Sequence, residues 1–333
     1  MRTEILITGA SGFVGGKILE ALAGPESLSL SVLLRRGSRL KKSTPGNIRI
    51  YEGDITEPGG LKDAVSGKNI IIHCAALMSD SDSENRKKFY EVNVAGTLNL
   101  LRSRDEKTLK HFIHISTAGV YGAGKNRVFT EEAPYGRKLS AYEWSKKEAE
   151  LAVLKYAGHK NIPFTILRPS QLYGAGMRYG WPDTFRAIKS GRMRIPGNGK
   201  TRIHLLNVRD FAEGVKSVLE NTRAVNKIYN MAGPEVLSIS EVFDAASGIM
   251  GAGKAAKVPY LPVYLASVFL SAVPAYLKSA ELTLLTPHRV KFFSTDHAYD
   301  ISRAKTELNY NPRVKLKEGF AEMLQWCQKE GLI

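Results

Sequence analysis

The stretch TEILITGASGFVGGKILEALA at residues 3–23 decides the fold that we expect for this chain. A short apolar and β-branched run leads into a glycine-rich turn and then into apolar residues at helical spacing, which predicts strand, tight turn and helix. In such a turn the glycines allow a sharp bend, close approach of the backbone to a pyrophosphate, and tight packing of the helix on the strand. We therefore predict a phosphate cradle for a dinucleotide, with contacts from Gly9, Ser11, Gly12, Phe13, Val14 and Gly15.

Further strand-like runs follow at residues 28–34, 48–51 and 70–73, separated by loops or helical stretches. This alternation predicts an α/β protein whose parallel sheet is doubly wound, as in the Rossmann fold. Residues Asp54 and Ile55 come directly after the third run, and we expect them to face the adenine of the dinucleotide.

The end of the second strand predicts which dinucleotide is bound. A site for NAD commonly has Asp or Glu there, about 20 residues past the glycines, to bind the ribose 2′-hydroxyl. This chain has Arg35 and Arg36 instead. Because an arginine fork matches a phosphate, we expect NADP, with NAD as the alternative.

Tyr142 and Lys146 lie four residues apart in a helical pattern over residues 140–157, so their side chains share one face, one turn apart. Reduction of a ketone needs a proton for the carbonyl oxygen, and oxidation of an alcohol needs its removal. A phenol with a pKa near ~10 is a weak base, but a neighbouring ammonium favours the phenolate. We therefore expect Lys146 to lower the pKa of Tyr142, while a hydroxyl of Thr117 or Ser116 holds the substrate oxygen.

With TGASGFVG at 8–15, HISTAGVYG at 114–122 and YEWSK at 142–146, the chain resembles the extended short-chain dehydrogenase/reductase superfamily over nearly all its length. The resemblance places the catalytic hydroxyl at Thr117, where members more often have Ser, and keeps Ser116 as a second candidate. It makes Asn93 a buried residue of a helix motif. It also implies cofactor contacts from Ala75, Ala76, Tyr142, Lys146 and Pro169.

The resemblance also implies a division into domains. Residues 1–168 and 207–232 would form the dinucleotide-binding Rossmann domain, and residues 169–206 and 233–333 a smaller, mostly helical substrate lobe. Relatives commonly dimerise through the face of the catalytic helix, so a homodimer is expected on that ground alone.

For the substrate, the segment RPSQLYG at 168–174 lacks the Asn that nucleotide-sugar enzymes commonly have shortly after this Arg. It is similar to the branch with 3β-hydroxysteroid dehydrogenases, sterol 4-carboxylate dehydrogenases and dihydroflavonol-type reductases. That branch implies a small apolar or steroid- or flavonol-like substrate. A nucleotide-sugar epimerase or dehydratase using the same site is the alternative, and a non-catalytic NADP-binding regulator is a further one.

Composition excludes several other classes. The chain carries 48 Lys and Arg against 32 Asp and Glu, but the basic residues are spread out and no nucleic-acid-binding motif is present, so no nucleic-acid partner is expected. Two cysteines outside any ligand spacing indicate neither a disulfide framework nor a metal site. The sequence starts without a leader pattern, and we expect a cytoplasmic protein.

Residues 261–277 (LPVYLASVFLSAVPAYL) contain no charged side chain. Seventeen residues interrupted by Pro274 are at the short limit for crossing a bilayer. Three interpretations stay open: a lobe helix packed beside the active site, a helix in peripheral contact with a membrane, and a span.

Overall fold

The computed structural model of the protein describes residues 2–40, 47–78, 85–124, 127–137, 139–271, 273 and 285–333. The strands are β1 Thr3–Thr8, β2 Leu28–Leu34, β3 Arg49–Glu52, β4 Ile70–His73, β5 His111–Ile115, β6 Val128–Phe129, β7 Phe164–Pro169, β8 Gln171–Tyr173, β9 Arg194–Pro196, β10 Arg202–Ile203, β11 Leu205–Asn207, β12 Lys227–Met231, β13 Leu237–Ser238, β14 Ala256–Val258 and β15 Ala298–Tyr299.

The helices are α1 Phe13–Leu22, α2 Lys62–Val65, α3 Arg86–Phe89, α4 Gly96–Ser103, α5 Ala141–His159, α6 Trp181–Lys189, α7 Val208–Leu219, α8 Ile239–Ile249, α9 Tyr260–Ser271, α10 Pro287–Phe292, α11 Ser302–Leu308 and α12 Leu316–Lys329. A π-helical segment, Tyr90–Ala95, joins α3 to α4, and a 3₁₀ turn, Ala118–Tyr121, follows β5.

Seven strands form one sheet in the order β3-β2-β1-β4-β5-β7-β12, and every pair in it is parallel. The predicted doubly wound Rossmann sheet is therefore confirmed. The strand order reverses between β1 and β4, and ligands of such sheets bind at the carboxyl ends of the strands at this point. The predicted glycine turn follows β1 and therefore lies at that edge.

Apolar side chains bury both faces of the sheet. One face packs against α1, α7 and α11 around Ile7, Val32 and Phe211, and the other packs against α2, α4 and α5 around Leu6, Ile71 and Leu100. Burial on both faces explains why the central strands are continuous apolar runs rather than alternating ones.

A second core contains Trp181, Phe185, Phe243 and Phe320, and it holds α6, α8 and α12 together. This core is separate from the two cores on the faces of the sheet. We expected residues 301–310 to belong to the lobe. Instead, Ile301, Ala304, Leu308 and Tyr310 pack into the core of the sheet domain. The chain returns from the lobe to cover the sheet before α12 begins.

The turn after β1 is compact enough to require glycine at Gly15. A Cβ atom added at this position of α1 would lie 2.4 Å from the carbonyl oxygen of Gly9. The helix can therefore contact the end of β1 directly only while position 15 has no side chain. Gly158 near the end of α5 has no atom within 4 Å of such a Cβ, although it is helical too.

We predict opposite effects of Gly15→Ala and Gly158→Ala on the free energy of unfolding, measured by urea titration. Gly158→Ala raises it by up to about 1 kcal/mol, because alanine is the better helix former. Gly15→Ala lowers it by about 1–3 kcal/mol, because the methyl group overpacks against backbone. Equal stability of Gly15→Ala and wild type would show that the turn can rearrange.

Buried histidines are a second feature of the sheet. Burial lowers the pKa of His111 on β5 to about 4 and the pKa of His73 on β4 to about 3. The ring of His111 contacts the Thr165 hydroxyl at 2.8 Å, and that hydroxyl donates to the carbonyl oxygen of Ala224, so the imidazole Nε2 is the donor. Both rings are therefore held in the neutral form.

This burial predicts acid sensitivity. The unfolded chain protonates these histidines near pH ~6.5, whereas the folded protein does so only near pH 4 and below. The free energy of unfolding is thus highest above pH ~6.5 and falls on acidification, by about 1.4 kcal/mol per pH unit for each histidine. Urea titrations between pH 7.5 and 5 check this. His111→Gln makes the slope shallower and exposed His159→Gln leaves it unchanged; equal slopes for both variants would contradict the prediction.

Candidate active site

The glycine turn at the end of β1 adopts a shape that favours glycine. Gly9 has φ +72°, and a Cβ atom there would lie 2.7 Å from the backbone nitrogen of Ala75. The Gly12 N–H donates to the Gly9 carbonyl oxygen at 3.0 Å, and Gly12 is the N-cap of α1. The turn therefore lies against the segment that follows β4. Gly9, Gly12 and Ala75, which we predicted to contact the cofactor, are close together in the structure.

The start of α1 is suited to a negatively charged group. No side chain of the described residues caps this helix end, and Ser11 and Gly12 are exposed. The first N–H groups of a helix have no partner within it, and together with the helix dipole they favour the binding of an anion. Phe13 and Val14 in the first turn are half-buried. The cradle fits the diphosphate of a dinucleotide.

A chain of hydrogen bonds fixes this turn. The Thr8 hydroxyl accepts from the Ala75 N–H at 3.2 Å and contacts the His73 Nδ1 at 2.8 Å. The His73 Nε2 contacts the Thr97 hydroxyl at 2.9 Å, and that hydroxyl donates to the Asn93 carbonyl oxygen. Because Thr97 uses its proton on Asn93, His73 donates from Nε2 and accepts from Thr8 at Nδ1. The chain ties β1, β4 and the π-helical segment together.

Asn93 extends this connection to the catalytic helix. Its side chain accepts from the Leu77 N–H at 2.6 Å, donates to the Leu77 carbonyl oxygen at 3.0 Å and donates to the Ser145 hydroxyl at 2.8 Å. Asn93 therefore has a structural role, in the π-helical segment rather than in an ordinary α-helix. Such segments often occur at functional sites.

Helix α5, which carries Tyr142 and Lys146, begins with a capping box. The Ser140 hydroxyl accepts from the Glu143 N–H, and the Glu143 carboxylate accepts from the Ser140 N–H at 2.8 Å. This fixes the first turn, from which Tyr142 projects with a half-buried side chain. Lys146 is buried one turn later, and its ammonium donates to the Ile115 carbonyl oxygen at 2.6 Å.

The lysine also lies beside the segment after β4. Lys146 lowers the pKa of Cys74, although burial outweighs it and raises that pKa to about 12. Cys74 precedes Ala75, which contacts the glycine turn. The structure thus brings the predicted phosphate cradle and the predicted catalytic lysine to one edge of the sheet.

The electrostatics of Tyr142 differ from the prediction. We expected Lys146 to lower the pKa of the phenol, but burial, with a smaller contribution from Glu143, raises it to about 12. The prediction was wrong in direction because burial of the phenol dominates, while the Lys146 ammonium donates to the Ile115 carbonyl oxygen. Burial also lowers the pKa of Lys146 to about 8, although Glu150 opposes this shift. In this structure the phenol holds its proton at neutral pH.

The structure distinguishes the two candidate hydroxyls. Ser116 is buried and donates to the Glu150 carboxylate. Thr117 is half-buried at the start of the 3₁₀ turn and accepts from the Gly119 N–H at 3.1 Å, which leaves its own proton for another acceptor. A Cβ at Gly119 would lie 3.0 Å from Glu143 Cγ, so this turn packs against the start of α5 beside Tyr142. Thr117 is therefore the available hydroxyl.

A buried ion pair supports this arrangement, and the sequence analysis missed its acidic partner. The Arg168 guanidinium contacts Glu150 at 2.7 Å, and both side chains are almost fully buried. Arg168 also donates to the hydroxyls of Tyr121 and Tyr135, and Tyr135 donates to Glu150. The signal was present in the sequence, because residues 142, 146 and 150 are spaced by four and form one helical stripe.

The remaining predicted cofactor residues lie around the same edge. Arg35 and Arg36 follow β2 and are exposed, and the Arg36 Nε lies 3.9 Å from a Glu52 carboxylate oxygen. Asp54 is half-buried and accepts from the Thr56 N–H and hydroxyl. Three others are placed as follows: Ile55 is buried against Gly96, Ala76 is exposed after β4, and Pro169 is buried at the end of β7.

Comparison with known proteins gives the family. The model of the NAD dependent epimerase/dehydratase family matches residues 5–232. A UDP-glucuronate 4-epimerase of Thermodesulfobacterium geofontis is 28% identical, over 97% of this chain and 96% of its own. A sterol-4-alpha-carboxylate 3-dehydrogenase, decarboxylating, of Schizosaccharomyces pombe is 27% identical, over 98% of each chain.

A solved structure shows the same fold. The UDP-glucuronic acid 4-epimerase of Bacillus cereus in complex with NAD superposes with a TM-score of 0.78 and 21% identity, over 98% of this chain and 99% of its own. The match covers both the sheet and the lobe. With the glycine cradle and the Tyr142–Lys146 helix in place, this chain belongs to the NAD dependent epimerase/dehydratase family and has the extended short-chain dehydrogenase/reductase fold.

Proposed function

We propose that this protein is an NAD(P)-dependent oxidoreductase that interconverts a secondary alcohol and a ketone through Thr117, Tyr142 and Lys146. The observation that carries the proposal is the convergence of three groups at one edge of the sheet. These are the uncapped start of α1, the half-buried Thr117 hydroxyl, and the Tyr142–Lys146 face of α5.

Each of these groups has a separate role in the reduction of the ketone. The dinucleotide, when bound, supplies the hydride. The Tyr142 phenol, whose pKa is raised to about 12, is protonated at neutral pH and donates its proton to the substrate oxygen. The Thr117 hydroxyl donates a hydrogen bond to the same oxygen and orients the carbonyl. In the oxidative direction Tyr142 takes the proton back.

Lys146 supports this proton transfer by its charge. With a pKa of about 8 it is mostly protonated at neutral pH. Its ammonium donates to the Ile115 carbonyl oxygen, and we propose that its charge, one helical turn from Tyr142, favours the phenolate when the proton leaves. A buried lysine is costly to a fold. Its presence at this edge favours catalysis over the alternative of a non-catalytic NADP-binding regulator, which has no use for a proton relay.

For the substrate we propose a small apolar or steroid- or flavonol-like molecule. The segment after Arg168 has Ser170 and Gln171 where nucleotide-sugar enzymes commonly have Asn. In the lobe and on the neighbouring helix α7, several arginines are paired with carboxylates and are therefore less available to a diphosphate. These pairs are Arg178–Glu330, Arg186–Asp183, Arg202–Asp296 and Arg209–Glu322.

A nucleotide-sugar epimerase or dehydratase is the second candidate. Relatives such as the UDP-glucuronate 4-epimerase favour it. That enzyme is 28% identical to this chain, and the sterol dehydrogenase is 27% identical. The same cradle and the same tyrosine would serve this chemistry.

For the cofactor we propose NADP. The exposed Arg35 and Arg36 occupy the end of β2, where a carboxylate would select NAD. Glu52 on the neighbouring strand is the opposing feature, because it lies 3.9 Å from Arg36 and carries the charge that would repel a 2′-phosphate.

Removal of the phenol tests the mechanism. We predict that Tyr142→Phe lowers kcat for NADPH-dependent ketone reduction by about 10²–10⁴-fold, because the proton donor is lost. Tyr156→Phe is the control, since it removes a hydroxyl from the same helix, where it accepts only from Arg104 among the described residues. Turnover by Tyr142→Phe equal to that of wild type would remove Tyr142 from the mechanism.

The same assay separates the substrate classes. Steroid and flavonoid ketones are compared with UDP- and dTDP-sugars, both in turnover and in thermal shift with NADP present, because a ligand stabilises the folded state by mass action. We expect stabilisation by the apolar ketones. Stabilisation by a nucleotide sugar alone would favour the second candidate.

Replacement of Arg35 by a residue of opposite charge tests the cofactor proposal. We predict that the wild-type protein binds NADPH more tightly than NADH and that Arg35→Asp reverses this preference, because the carboxylate repels the 2′-phosphate and accepts from the ribose hydroxyl. Titration of both cofactors by fluorescence measures the ratio of Kd values. Arg102→Asp, on the exposed end of α4, changes net charge equally and should leave the ratio unchanged. Preference of the wild type for NADH would refute the proposal.

A further inference from the structure

Helix α9 exposes a continuous apolar stripe. Leu261, Leu265, Val268 and Phe269 are 63%, 58%, 44% and 74% exposed, and their spacing places them on one face of the helix. A helix without polar side chains on its outer face is normally buried. Exposed apolar stripes of this kind mark a surface that contacts a partner.

The opposite face of α9 attaches it to the lobe. Ser267 is buried, and Tyr260 and Tyr264 stack with their ring centres 5.7 Å apart. Helix α10 packs along α9, and β14, which precedes α9, pairs with β9. The helix is therefore fixed to the lobe on one side while its apolar stripe faces outward, which does not agree with the interpretation of a fully packed lobe helix.

Basic side chains are frequent in the segments next to α9. The three segments next to α9 are residues 191–200, 251–259 and 285–295, and none of them contains Asp or Glu. Among the described residues their cations are Arg192, Arg194, Lys200, Lys254, Lys257, Arg289 and Lys291.

Most of these cations remain accessible. Arg194, Lys200, Lys254 and Lys257 are exposed, and Arg194 donates to the backbone oxygens of Gly191 and Met193. Lys254 lies 3.5 Å from a carboxylate oxygen of Asp244 but is largely exposed. The surroundings of the stripe are thus strongly positive.

We propose that α9 lies flat on an anionic lipid surface, with the stripe in the acyl boundary and the surrounding cations at the headgroups. Apolar burial and attraction to anionic headgroups act together in such helices. The described helix has 12 residues, about 18 Å at 1.5 Å per residue, against an apolar bilayer thickness of about 30 Å. Within the described ranges no helix is long and apolar enough to span a membrane.

The charge pattern favours lipid over a second copy of the chain. A symmetric dimer through α9 would place the same cations of both copies opposite one another. Like charges across an interface are unfavourable, whereas an anionic surface neutralises them.

Vesicle co-sedimentation of the full chain tests this proposal. The protein binds vesicles of phosphatidylcholine mixed with phosphatidylglycerol, binds phosphatidylcholine alone more weakly, and is released by sodium chloride. Leu265→Ser with Phe269→Ser lowers the partition coefficient by about tenfold or more, because two apolar side chains leave the acyl boundary. The control, Tyr179→Ser with Val236→Ser, removes two exposed apolar side chains elsewhere and has no effect.

A second variant pair tests the electrostatic part. Lys254→Gln with Lys257→Gln lowers binding to the anionic vesicles by about tenfold or more and leaves binding to phosphatidylcholine unchanged. Lys107→Gln with Lys110→Gln, in the exposed loop before β5, is the control. Circular dichroism confirms that each variant is folded.

Two outcomes would overturn the proposal. The first is failure of the folded wild-type protein to bind the anionic vesicles. The second concerns the variant Leu265→Ser with Phe269→Ser. If its oligomeric state changes in analytical ultracentrifugation while its binding to vesicles does not, α9 contacts another protein chain instead of lipid.

Discussion

The buried ammonium of Lys146 is the interaction on which the rest of the site depends. Burial lowers its pKa, and its hydrogen bond to the Ile115 carbonyl oxygen fixes it to the end of β5. A cation in this position is tolerated because Glu150 lies one helical turn further and favours the charged form. Glu150 is in turn neutralised by Arg168 on β7 and bonded by Ser116. These charges can stabilise one another only while α5, β5 and β7 keep their positions relative to one another.

The phosphate cradle depends on a separate set of bonds that reaches the same helix. Thr8, His73 and Thr97 connect the glycine turn to the π-helical segment, and Asn93 connects that segment to Ser145 on α5. Hydrogen bonds thus connect the glycine turn to the helix that carries Tyr142 and Lys146, although the two motifs are more than 120 residues apart in the chain. Helices α6, α8 and α12 have a core of their own, and β15 pairs with β6.

Much of the fold could be predicted because its signals are local. The run before Gly9, the glycine spacing and the helical pattern after it depend on neighbours within about 20 residues, and each was confirmed by the structure. The Tyr142–Lys146 spacing also placed both side chains on one helix. The pKa of Tyr142 could not be predicted this way, because it depends mainly on the burial of the phenol and then on Glu143, and burial is set by the packing of the whole chain. The resemblance ranked Thr117 before Ser116, but the residues alone could not show that Ser116 is occupied, since its partner Glu150 lies on another element. The homodimer, the cytoplasmic location and NADP stay predictions.

The amino-acid sequence by itself indicated the first strands of the sheet, the glycine turn, the Tyr142–Lys146 face of one helix and the family, because hydrophobic periodicity, glycine spacing and helical repeat act over short distances along the chain. Only the tertiary structure decided which hydroxyl is free, that Glu150 and Arg168 neutralise each other beneath Lys146, and that residues 301–310 return to the sheet domain. It also decided that the uncharged helix α9 turns an apolar stripe outward. These properties depend on burial and on partners distant in sequence, and burial is defined only when the whole chain has packed.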